Sequence, residues 1–144
     1  MRMPDVNLLV YAHRREDPDH AFYRAWLENL ANGREPFALS FLVAVAFVRV
    51  VTHPGFAPRP TPLPQALAVI DSLVAEDSCL CLNPGERHWE IVRRLCGEVA
   101  AHGKQVADAQ HAAVALEHGC TWATRDGDFE KFRKTGLRVE MVVP

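Results

Sequence analysis

The sequence predicts a single α/β domain spanning residues 1–144, built on a mainly parallel sheet. Short apolar runs of strand length alternate with longer stretches of helical periodicity. Glycines and prolines fall between these segments, where turns are needed. The composition, 49% apolar and 24% charged, is that of an ordinary globular chain long enough to bury a core without staples.

The chain opens with Met1–Asp5, read as a very short strand with Asp5 at its end. For Val6–Ala12, periodicity leaves strand or helix open; Asn7 is a candidate cap for a short helix from Leu8. Pro18 and Asp19 start a clearer helix with Phe22, Trp26, Leu27 and Leu30 on one face and Gly33 at its end. Phe37–Ser40 reads as a buried strand, and Ser40 caps a very apolar helix, Phe41–Thr52, expected to be buried on most sides. His53–Pro64 carries five prolines and is expected to be an ordered or semi-rigid loop. A helix from Leu63 to about Ala75 and a strand Cys79–Leu82 follow. Two further helices are expected, one from about Gly85 to His102 and ended by Gly103, the next from Val106 to His118 with Gly119 closing it. Cys120–Thr124 is a strand, Phe129–Phe132 a helical turn, and Leu137–Val143 a final strand.

The formal net charge is -2, so no overall basic field advertises a nucleic-acid binder, although divalent cations can supply the charge that a phosphate requires. The four cysteines form neither a CxxC nor a Cys/His zinc spacing, and buried reduced thiols are expected. No basic start leads into an apolar leader, and the longest apolar run, Phe41–Val48, is far short of the about 20 residues a membrane span needs. A soluble cytoplasmic protein is the expectation.

The chemistry lies in acids at strand ends. In open parallel sheets, ligands bind beyond the carboxyl ends of the strands. Asp126 and Asp128 follow the strand Cys120–Thr124 directly, Asp5 ends the first strand, and Asp108 is expected in the first turn of its helix. Taken singly, each has a plain structural role: a helix-end charge for Asp108, turn formation for Asp126 and Asp128 around Gly127, a solvated terminus for Asp5. Together, three segments offer carboxylates to one edge of the sheet, where their repulsion is relieved by hard cations such as magnesium or manganese. Two such ions about 4 Å apart activate water and stabilise the leaving oxygen of a phosphodiester, with no histidine base or serine nucleophile required.

The segments Asp5-Val6-Asn7-Leu8-Leu9, Ala107-Asp108-Ala109 and Thr124-Arg125-Asp126-Gly127-Asp128-Phe129 resemble the motifs of PIN-domain nucleases. More narrowly, the chain is similar to the VapC toxins of bacterial type II toxin–antitoxin pairs. Phe47-Val48-Arg49-Val50-Val51-Thr52-His53-Pro54, His88-Trp89 and Glu117-His118-Gly119 match a mycobacterial-type branch, so the likeness runs nearly end to end. The resemblance implies a three-layer α/β/α sandwich on a five-stranded parallel sheet and a Mg2+- or Mn2+-dependent centre that cleaves RNA. It further implies a homodimer and inhibition by a small VapB-like antitoxin whose tail covers the site. Carried over by position, Asp5, Asp108 and Asp126 would be metal ligands, and Asp128 a nearby ligand or supporting acid. Asn7 and Thr124 would orient carboxylates or water. Arg49, which interrupts an apolar helix, is expected to point toward the acids and pair with a carboxylate or a phosphate.

The sequence departs from the family pattern at Ala46, where most PIN nucleases carry a glutamate; the branch it resembles often lacks that acid too, which implies a one-metal or weaker-metal site. Pro4 cannot donate to a sheet ladder although the family topology makes its strand central, so a truncated first strand is expected. Among the histidines, His111 lies one helical turn beyond Asp108, where it could face the site, but is read as a surface or packing residue; His20 opens a helix, and His88 beside Trp89 is read as packing at a helix start. Arg14, Arg15 and Arg59 could contact phosphates, with a solvated face the default reading for Arg14 and Arg15. The leading expectation is a toxin endoribonuclease; the alternative is a degenerate PIN domain that binds RNA or a partner without cutting. A phosphate-handling enzyme or an aspartate-phosphorylated receiver also clusters acids at strand ends, but Asp5 lacks the adjacent acid a receiver requires.

Overall fold

The structure, a computed structural model describing residues 1–144, contains five short strands and six α-helices. The strands are β1 (Arg2–Pro4), β2 (Phe37–Leu39), β3 (Cys79–Cys81), β4 (Thr121–Thr124) and β5 (Arg138–Met141). The helices are α1 (Val6–His13), α2 (His20–Ala31), α3 (Phe41–Thr52), α4 (Leu63–Val74), α5 (His88–Val99) and α6 (Lys104–Glu117), followed by a 3₁₀ segment, Gly127–Thr135. All strand pairings are parallel, in the order β3-β2-β1-β4-β5.

That order places a reversal at β1. The chain steps outward from β1 through β2 to β3, then crosses back to add β4 and β5 on the other side. Right-handed crossovers require the helices of the two halves to cover opposite faces. Accordingly α1 to α4 pack on one another, and α5 pairs with α6 and the 3₁₀ segment. The expected three-layer α/β/α sandwich is the architecture found.

The core follows from the apolar patterning. All three residues of β2 are buried, as befits a strand covered on both faces. α3 buries Val43, Ala44, Phe47 and Val51 in the same core cluster. α6 presents Ala109, Ala112 and Ala113, small enough to bring its backbone close to the sheet, and Trp122 of β4 fills the space beside them. A smaller cluster of Leu8, Ala12, Tyr23, Ala123 and Val142 fastens α1 and α2 to the segments around β4 and the end of β5.

β1 is central and three residues long, and Pro4 explains its asymmetry. Alternate residues of a parallel strand serve opposite neighbours. Met1 O accepts from Thr121 N and Asp5 N donates to Ala123 O, both in β4, while Pro4, lacking a donor, lies between them. Pairing with β2 is limited to Arg2↔Phe37, whereas three residue pairs join β1 to β4.

Several expected boundaries move. α1 begins at Val6 with Asp5 as its N-cap, so Asn7 lies inside the first turn and is not the cap. The buried aromatic of α2 is Tyr23, whose hydroxyl donates to Val142 O at 3.1 Å, while Phe22 faces outward. α5 is shorter than expected and ends at a left-handed Ala100. α6 starts at Lys104 because Gly103, at φ 55, serves as its N-cap. Of the cysteines, all free, Cys120 is buried, Cys79 and Cys96 are partly buried, and Cys81 is exposed because β3 is an edge strand.

Ser40 caps α3 as expected, its hydroxyl accepting from Leu42 N at 3.2 Å. Ser40→Ala is expected to cost about 1 kcal/mol, read as a lowered urea midpoint with an unchanged m-value.

Candidate functional site

The reversal of strand order at β1 opens a crevice between the carboxyl ends of β1 and β4, the place where open α/β sheets hold ligands. Asp5 leaves β1 and Asp126 leaves β4, so the two acids flank that crevice. A single hydroxyl joins them. Thr124 Oγ1 donates to Asp5 Oδ2 at 2.6 Å and accepts from Asp126 N at 2.9 Å. Thr124 is fully buried, which fixes this bridge.

Asp126 combines both roles open to it. Its Oδ1 accepts from Asp128 N at 2.9 Å and shapes the start of the 3₁₀ segment, as turn-forming aspartates do. Its Oδ2 faces outward, with Lys104 Nζ at 3.5 Å. Asp108 comes from α6, in the second turn and not the first, because the helix begins at Lys104. It is 6% exposed, and its Oδ2 is buried without a hydrogen-bond partner. Asp128 is exposed at the rim.

The electrostatics are those of carboxylates held together at a cost. The Asp5 carboxyl is pushed up to about 6, chiefly by burial; hydrogen bonds from Thr124 and the Val6 backbone oppose the rise, and the charges of Asp126 and Asp108 add to it. Asp108 is raised by burial and by Asp126, against the pull of Lys104 and Lys131. The Lys104 ammonium is strengthened by Asp126 and Asp108.

The donors suit a hard divalent cation: every one is a carboxylate or hydroxyl oxygen, and the orphaned Asp108 Oδ2 is a buried anionic atom awaiting a positive partner. Asp5, Asp108 and Asp126 are the residues that would hold it. No three histidine, cysteine, aspartate or glutamate side chains already converge at ligand distance, so the acids are neighbours and not a finished cage.

Two expected contributors make no contact with the acids. Arg49 lies in the last turn of α3, exposed and without an ion pair or side-chain hydrogen bond. Because α3 starts at Ser40, roughly 12 Å of helical rise carries Arg49 away from the carboxyl edge of the sheet, and the expected pairing with an acid is not formed. Asn7 makes no side-chain hydrogen bond to the acids. His111 is a packing residue: its ring stacks on Trp122 at 5.6 Å, and burial lowers its pKa to about 4, leaving it neutral.

Sequence reasoning missed Lys104 and Arg125. The Arg125 guanidinium lies 4.0 Å from the Tyr11 ring centroid and 5.3 Å from that of Tyr23, clamping the turn that carries Asp126 onto α1 and α2. The spacing Lys104-x-x-x-Asp108 is a one-turn helical pair; it was hidden because the helix was expected to begin at Val106.

The PIN domain family model matches residues 2–135, a span that takes in both strand ends and all four acids. Ribonuclease VapC43 of Mycobacterium tuberculosis is 45% identical over 134 residues, covering 93% of this chain and 91% of its own. Ribonuclease VapC31 of the same species is 36% identical, over 92% of this chain and 93% of its own. Among solved structures, VapBC2 from Rickettsia felis, bound to a DNA fragment from their promoter, superimposes with a TM-score of 0.70 at 19% identity, covering 97% of each chain. At that identity the likeness speaks for the fold, and the closer sequence relatives speak for the family. The chain belongs to the PIN-domain family and, within it, to the VapC ribonucleases.

Proposed function

We propose that this chain is the toxin of a toxin–antitoxin pair, an endoribonuclease that hydrolyses RNA phosphodiester bonds with Mg2+ or Mn2+ held by Asp5, Asp108 and Asp126. The observation that carries this reading is the hydrogen-bonded array Asp126–Thr124–Asp5, with Thr124 and Asp5 buried, beside the orphaned Asp108 oxygen. A divalent cation, when bound there, supplies positive charge against the phosphate and makes water more acidic.

The chain's own residues supply the rest. Thr124 fixes the rotamer of Asp5 and the path of the chain into Asp126. The Arg125 clamp and the Asp126–Asp128 turn hold the β4 end rigid, so the carboxylates are oriented before substrate arrives. Asp128 adds negative charge at the rim. Partner assignments follow the family: RNA as substrate, a VapB-like antitoxin as inhibitor, and a second copy of this chain as dimer partner. No helix is long and apolar enough to cross a membrane.

Asp108→Asn tests the reading. The variant is expected to lose RNA cleavage by about a thousandfold, and chelator is expected to silence the wild type until Mn2+ or Mg2+ is restored. Cleavage ends would be mapped on labelled RNA. Cleavage that persists in both Asp108→Asn and chelator would sink the proposal, while tight RNA binding without any cleavage would favour the degenerate, binding-only reading.

A further inference from the structure

The acidic crevice already contains a positive charge. Lys104 is the first residue of α6, and Asp108 lies one turn further along, so the two side chains emerge on one face of the helix. The Lys104 ammonium reaches Asp126 Oδ2 at 3.5 Å. Its side chain is 72% exposed and that of Asp126 is 21% exposed, so the lysine meets the acid from the solvent side.

Asp126 Oδ1 already accepts from Asp128 N, and Oδ2 is the oxygen that Lys104 reaches. A divalent cation bound at Oδ2 would meet the lysine there. The second lysine near the acids, Lys131, makes no such contact and lies instead against the Phe132 ring at 5.6 Å. An exposed lysine pair is weak and readily exchanged, and its long stem lets the ammonium swing without disturbing the fold.

We infer that Lys104 is the resident counter-ion of the acidic crevice: it holds the Asp126 oxygen that a divalent cation takes, and is then free to meet the phosphate of the substrate. The inference rests on reading the crevice as a cation-dependent nuclease centre. It makes Lys104 a competitor for the cation and a contributor to RNA affinity, so its removal has opposite effects on the two.

Mn2+ binding to the full chain without RNA, followed by loss of the free-ion paramagnetic resonance signal, separates these effects. Lys104→Met is expected to bind Mn2+ about three- to fivefold more tightly than wild type, the scale of one exposed ion pair. Lys104→Arg retains the charge and is expected to bind like wild type, and Lys131→Met is expected to change little. In cleavage assays at saturating Mn2+, Lys104→Met is expected to raise KM for RNA by about fivefold, with kcat less affected. The counter-ion role is overturned if wild type binds Mn2+ and a normally folded Lys104→Met binds it no more tightly. If wild type takes up no Mn2+ at all, the nuclease reading itself fails and the inference falls with it.

Discussion

Asp5→Asn is expected to abolish RNA cleavage and, in chelator at pH 7.5, to raise the melting temperature by about 5–10 °C. Both effects have one cause. The Asp5 carboxyl is 5% exposed and beside Asp126 and Asp108, and burial pushes its pKa up to about 6. An aspartate in the unfolded chain titrates near 3.9. Between those values the folded protein holds a proton that the unfolded chain has released. Stability from this group is therefore full below about pH 4 and is lost as pH rises through 6. A gap of about two pH units corresponds to roughly 3 kcal/mol by pH 7. Asparagine removes the charge yet keeps an acceptor for the Thr124 hydroxyl, which otherwise donates to Asp5 Oδ2.

Melting curves at pH 4 and 7.5 would separate the contributions. The variant and wild type should melt together at the lower pH and diverge at the higher one. Added Mg2+ or Mn2+ should reverse the order, because ligand binding stabilises only the chain that retains the carboxylate. The loss of cleavage should approach a thousandfold, as expected when a preorganised charge is removed from a reacting centre. A variant that melts below wild type at pH 7.5 in chelator would show that the carboxylate is not held at a cost.

Trp122→Ala should have the largest effect on folding. Trp122 is fully buried at the middle of β4, stacked on His111 of α6 and 5.3 Å from Phe129 of the 3₁₀ segment. Truncation removes contacts to both at once, at a cost of about 3–5 kcal/mol. That is much of the net stability of a typical domain, and the melting temperature should fall by about 10–20 °C. The indole Nε1 has no hydrogen-bond partner, so its burial already costs something. Trp122→Phe, which keeps an aromatic ring and deletes that donor, should cost no more than about 2 kcal/mol. Equal losses in the two variants would rule out the unpartnered indole.

The legible parts of the sequence were those governed by local chemistry. α3 was read with its observed bounds because Ser40 caps it and its apolar run has no competing breaker. Asp126 and Asp128 could be placed just beyond a strand because Gly119 ends the preceding helix and the apolar run that follows is short. Gly103 misled, since a glycine between two helices signals an end as readily as a start; here it caps α6, and the error of two residues concealed Lys104. Arg49 was read from its interruption of an apolar helix, but interruption indicates only that one face meets solvent, and Arg49 is exposed there without an ion pair. Phe22 and Tyr23 are adjacent aromatics of similar size, and which one is buried depends on where α2 meets Val142, a contact spanning most of the chain.

By itself the sequence determined the alternation of strands and helices, the four acids and the family likeness that relates them. Each of these is carried by short-range patterning or by motif order, which survive without knowledge of the fold. Only the tertiary structure decided that β1 and β4 are neighbours at the reversal of strand order, and with that which oxygens meet. The Thr124 bridge, the orphaned oxygen of Asp108 and the lysine over Asp126 arise from side chains up to 119 residues apart in sequence. Their energies depend on burial and on separations of a few ångströms, which no local pattern encodes. The acids could be named from the sequence; the cost of holding them together, and the cation already sharing their crevice, belong to the fold.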